Sequence, residues 1–123
     1  MAGGMTTYQA NAVLNAFDTG KYLALFTAAP SDAGGGTELS GSNYARQALS
    51  VATASSRATS NDADITFGPA SGSWGTITHL GIFDASTSGN LLWWSSLAVS
   101  KTVTAGESFK VPSGDLDLSA VAS

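Results

Sequence analysis

Eight short strand-like runs, separated by clusters of Gly, Ser, Asp, Asn and Pro, follow one another through most of this 123-residue chain. They are 21–28, 45–54, 64–67, 75–83, 91–97, 101–104, 108–111 and 116–118. Recurrence every roughly 8 to 12 residues is the pattern of a β-sandwich or jelly roll. Tyr22 to Phe26 is apolar on both faces, as a central strand covered by a helix would be. Phe109/Val111 and Leu116/Leu118 alternate with polar residues, as half-exposed strands do.

One segment departs from this texture. Ala10, Val13, Leu14 and Phe17 repeat at helical spacing. Thr6 to Gln9 has the form of a capping box, and Gly20 can take the left-handed conformation that ends a helix. A helix is therefore expected over about 7–18, too short to persist undocked. The chain is expected to be a single all-β domain, sandwich- or jelly-roll-like, with one short N-terminal α-helix covering one sheet and residues 1–6 as an arm.

Composition narrows the function. Ser, Thr and Gly supply 45 of the 123 residues, the net charge is −4, and only 11% of residues are charged. Five scattered cations cannot neutralise a run of phosphates, which argues against nucleic acid and against anionic membranes as partners. No window approaches the roughly 20 apolar residues of a membrane span, and Met1 to Thr7 lacks the form of a secretion signal. Synthesis in the cytoplasm is expected. There is no cysteine, hence no disulfide framework or thiolate chemistry.

Candidate catalytic groups are sparse. His79 is the single histidine and falls inside a strand-like run, whereas catalytic histidines favour loops. Asn61, Asp62 and Asp64, and the pair Asp115 and Asp117, lack calcium-loop spacing and read as turn-forming residues. Gly34–Gly36 is followed by no Gly-Lys-Ser/Thr and is no phosphate loop. No enzymatic activity, cofactor or metal is expected. Trp93 and Trp94, adjacent on a strand, point to opposite faces, so one is expected in the core and the other outside as a contact or sugar-stacking surface. Trp74 is a second exposed-aromatic candidate; the alternative is that all three tryptophans complete a core otherwise rich in Ala.

Tyr22 to Pro30, Gly36 to Gln47, Trp74 to Ala85 and Gly114 to Leu118 together resemble a family of small virion proteins of tailed bacteriophages, commonly labelled tail fibre or minor structural protein. The resemblance runs from Thr6 to Leu118. It implies a virion structural protein. Without coiled-coil heptads or a repetitive shaft the chain cannot itself be a long fibre, and phage proteins of this size with β-sandwich or jelly-roll folds serve as capsid cement. The resemblance therefore implies capsid decoration first, with the major capsid protein or other virion proteins as partners and a homo-oligomer, a trimer by preference. A tail-fibre or tail-tip component with a receptor- or glycan-binding role is the alternative. The expected partner interface comprises Met1, Met5, Tyr44, Arg46, Trp74 and whichever of Trp93 and Trp94 faces outward.

Overall fold

The computed structural model describes residues 6–18, 20–31, 33–56 and 58–119; residues 1–5 of the expected N-terminal arm, with Met1 and Met5, lie outside them. The fold is all-β and antiparallel with one short helix. The chain divides into two compact units. One is built from described residues of Met1–Gly20, Leu49–Ile65 and Val111–Ser123, the other from Lys21–Ala48 and Thr66–Lys110.

In the first unit, helix α1 spans Thr7–Asn15 and runs into a 3-10 turn at Ala16–Asp18. Thr6 Oγ1 accepts from the Gln9 amide at 3.3 Å, the cap expected for an otherwise orphaned donor. Ala10 and Leu14 are fully buried, but Val13 is 39% exposed and Phe17 half-buried, so the apolar stripe is narrower than its periodicity suggests. The polar end of the helix is anchored instead. Asn15 Oδ1 accepts from the Ala54 amide at 2.8 Å, and Asp18 Oδ1 from the Val51 amide at 3.0 Å. The helix packs against β4 (Ala58–Ser60), which pairs with β9 (Asp117–Ser119). The strand expected to be covered by the helix belongs to the other unit.

Asn61 organises the rest of this unit. Its side chain is 1% exposed, its Nδ2 donates to the Ala63 and Pro112 carbonyls at 2.9 Å each, and its Oδ1 accepts from the Leu116 amide at 2.9 Å. Asp64 Oδ1 accepts from the Ser113 amide at 2.8 Å. These are backbone-capping roles, as the turn reading anticipated.

The second unit is built on β1 (Tyr22–Ala28), where Leu23 to Phe26 are all buried. One edge of β1 pairs with β6 (Gly75–Phe83) over Tyr22↔Phe83 to Phe26↔His79. The other edge is shared by β2 (Thr37–Glu38), which pairs at Phe26 and Ala28, and β3 (Gln47–Ala48), which pairs at Tyr22 and Leu23. At the gap between them, the Leu25 amide donates to Tyr44 Oη at 3.0 Å and the Leu25 carbonyl accepts from the Leu39 amide at 3.0 Å. A phenol thus replaces a missing strand, because a buried backbone donor must find a partner. β7 (Leu91–Val103) closes the sheet beyond β6, giving the order β2-β1-β6-β7. A separate ribbon pairs β5 (Ile65–Phe67) with β8 (Phe109–Val111).

Three strand expectations are corrected. The run 45–54 contributes only Gln47–Ala48 as strand, with an isolated bridge from Val51 to Asn61. The runs 91–97 and 101–104 are one strand, although its register breaks where they were separated: Ile77 pairs with Lys101 and His79 with Ser96, leaving Thr78 across from the four residues Leu97–Ser100. Strands β2 and β4 were not anticipated. The expected division of Trp93 and Trp94 between core and exterior also fails: both are half-buried, because a terminal strand packs neither face completely.

Candidate functional site

The loop 39–46 between β2 and β3 is held in an uncommon backbone conformation. Gly41, Ser42 and Asn43 all have positive φ, of 73°, 50° and 69°, a region that side-chain-bearing residues occupy only when neighbours hold them there. The Ser42 carbonyl accepts from Trp74 Nε1 at 2.9 Å and from the Ser71 amide at 3.0 Å, and Asn43 Nδ2 donates to the Pro69 carbonyl at 2.9 Å.

This loop delivers Tyr44 and Arg46 to Glu38. Arg46 Nε and one terminal nitrogen donate to the two Glu38 carboxylate oxygens at 2.8 Å each, a bidentate pair. The other terminal nitrogen donates to the Ala85 carbonyl at 2.9 Å and the Ser88 carbonyl at 2.7 Å. Tyr44 Oη donates to Glu38 Oε2 at 2.8 Å while accepting from Leu25. Burial, reinforced by the Glu38 hydrogen bond, pushes the Tyr44 phenol far above its usual range, and the Glu38 hydrogen bond raises Arg46 above its ordinary value. The Arg46 side chain is only 8% exposed, and with four hydrogen bonds made it is committed to its own chain.

Arg46 thereby pins the β6–β7 turn. The turn is also closed by Asp84, whose Oδ1 accepts from the Asn90 amide at 2.7 Å and whose Oδ2 accepts from the Asn90 side chain at 3.1 Å. Those bonds, the backbone one first, hold the Asp84 carboxyl below its ordinary value. Beneath the network, Tyr44 stacks on Phe67 at 6.2 Å and meets Trp74 edge-on at 5.8 Å, and Phe67 meets Phe109 at 6.2 Å.

Above the network lies an open cleft of about 480 Å³, lined by Glu38 to Gly41, Tyr44 to Arg46 and Ser86 to Ser88. Its charged groups are mutually satisfied and its rim carries the exposed hydroxyls of Ser40, Ser86, Thr87 and Ser88. Such a surface can make neutral hydrogen bonds and supplies no activated nucleophile. His79 lies elsewhere on β6, its Nδ1 2.8 Å from Thr78 Oγ1 and its ring 6.1 Å from that of Trp94. Among the described residues, no three His, Asp or Glu side chains are grouped so as to hold a metal ion.

A family model described as Podophage GP4 fiber I protein gp80 matches residues 4–119. The chain belongs to this gp80 family. The match spans all four motifs on which the resemblance to tailed-phage virion proteins rests, and it makes the chain a bacteriophage structural protein. A comparison with curated proteins finds no match.

Of the interface residues named from sequence, this gp80-family chain brings Tyr44, Arg46 and Trp74 into one cluster. All three are turned inward: Trp74 is 5% exposed, and Tyr44 and Arg46 are tied to Glu38. Trp93 and Trp94 stand apart from the cluster on β7. Sequence reasoning missed Glu38, the acceptor on which Tyr44 and Arg46 converge, and Phe83, whose ring lies under the guanidinium. Glu38 is the nearest acidic residue to Arg46 in the chain, which was the available signal.

Proposed function

We propose that this protein is a subunit of a virion fibre, with a structural and not a catalytic role. The observation that carries this reading is the extent of the family match, residues 4–119, because it takes in the whole of the β1-centred sheet and the Arg46 network instead of one short motif. The neutral, hydroxyl-rich composition agrees with a part that meets other proteins and solvent without attracting nucleic acid. The sequence carries no shaft-forming repeat, which agrees with a part of the fibre other than its stem. Capsid decoration is the competing reading, supported by the all-β fold of a chain this small.

Copy number and position separate the two. Quantitative mass spectrometry of purified virions, with immunogold labelling, is expected to give a few copies per particle, located at the tail. Label spread over the shell, at a copy number comparable with the major capsid subunit, would overturn the fibre reading.

A further inference from the structure

We infer that the cleft between the 39–46 loop and the β6–β7 turn binds an uncharged saccharide. Hydrogen-bonding capacity converges there without partners inside the chain. The hydroxyls of Ser40, Ser86, Thr87 and Ser88, all of which line the cleft, bond to none of the described residues. Each can both donate and accept. Glu38 adds a fixed acceptor. Its Oε2 is filled by Tyr44 and Arg46, but its Oε1 receives a single bond, from Arg46, and the side chain is 23% exposed. A carboxylate oxygen has two lone-pair sites, so one on Oε1 remains for a ligand hydroxyl.

The same network selects against charge. Arg46 is the one cation lining the cleft, and it already donates with four of its five N–H groups to Glu38, Ala85 and Ser88. An anion therefore finds no available counter-charge. A cation finds Glu38 already neutralised by Arg46. The matching ligand is neutral, carries several closely spaced groups that donate and accept, and presents C–H surface to Leu39 and the Tyr44 ring, both half-buried at the cleft. A pyranose combines these features.

Size and rigidity agree. The volume of about 480 Å³ falls within the range of roughly 300 to 1,000 Å³ usual for small-molecule sites. One wall is fixed by Trp74 and Ser71 on the Ser42 carbonyl and by Asn43 on the Pro69 carbonyl, the other by Arg46 on Ala85 and Ser88. Little ordering then accompanies binding. An open cleft making few contacts holds its ligand weakly, with a dissociation constant of about 0.1 to 10 mM. Such a site is compatible with either position in the virion.

The test is a titration of the nitrogen-15-labelled chain, followed by NMR, with the methyl pyranosides of glucose, galactose, mannose, rhamnose and N-acetylglucosamine, each to about 50 mM. At least one is expected to shift amides of 38–46 and 86–88, whereas N-acetylneuraminic acid and glucuronic acid leave them in place. Ser86→Ala combined with Thr87→Val, both exposed positions, should raise the dissociation constant at least about fivefold, the scale of a lost hydrogen bond. Thr53→Val, at an exposed position of the other unit, should leave it unchanged. If the double variant fails to fold, nuclear Overhauser contacts between saccharide C–H groups and the Leu39 methyls of the wild type decide the matter. No shift with any of the five, shifts outside the cleft alone, an equal response to the acidic sugars, or an affinity indifferent to the double substitution would each overturn the inference.

Discussion

The guanidinium carbon of Arg46 lies 3.6 Å from the centroid of the Phe83 ring, while the same group donates in its plane to Glu38, Ala85 and Ser88. A planar cation can stack and donate sideways at once, whereas an ammonium is a compact point charge. Phe83 in turn stacks on the buried Phe26 at 6.0 Å, so the network is continuous with the core of the sheet.

Arg46→Lys retains the charge but loses the bidentate geometry and the stacking. It should destabilise the protein by about 2 kcal/mol, the scale of charge-assisted hydrogen bonds and a partly buried cation–π contact. Urea denaturation followed by circular dichroism measures it. A loss below about 0.5 kcal/mol, the scale of an ordinary surface substitution, would show that the network does not hold the β6–β7 turn.

Tyr44→Phe removes the phenolic oxygen that serves the Leu25 amide and Glu38, leaving a buried donor unsatisfied at about 1 to 3 kcal/mol. The same residue sets an alkaline limit. Its folded pKa lies above the ordinary 10.0, so the folded state holds the proton more tightly than the unfolded one. That stabilisation is complete below pH 10 and declines as pH rises beyond it. Stability measured between pH 9 and about 11.5 should fall less steeply in Tyr44→Phe than in the wild type; parallel slopes would contradict the assignment.

Asn61→Ala should be the most damaging of the three substitutions. It strands the Leu116 amide and takes a donor from the Ala63 carbonyl and from the Pro112 carbonyl, which keeps the Asp115 amide at 3.0 Å, in a site where the side chain was 1% exposed. A loss of about 3 kcal/mol is expected from an orphaned amide and a broken buried network. Calorimetry would register it as a lowered Tm, and an unchanged Tm would show that the Leu116 amide finds another partner.

Local signals carried the sequence reading as far as local forces decide structure. Helix α1 was legible because a cap, a period and a terminating glycine lie within fifteen residues, and β6 because its apolar run is bounded on both sides by turn residues. Strands β2 and β4 were not legible: two or three residues become a strand only through β1 or β9, which their own sequence does not announce. The parity of Trp93 and Trp94 could be read, but their burial could not, since it depends on β7 being a terminal strand. Likewise, Tyr44 and Arg46 were identified as notable while their inward direction was not, because that direction is fixed by Glu38, Ala85 and Ser88 together.

The pairing of β4 with β9 also fixes an order of events during synthesis. Asn61 must find Leu116, 55 positions later, and Ala58 must find Ser119. The helix, β4 and Asn61 therefore leave the ribosome well before the residues that complete their unit, whereas β1, β6 and β7 are all available earlier. During translation the β1-centred sheet has all its strands available while β4 and the Asn61 side chain still lack their partners in β9 and Leu116.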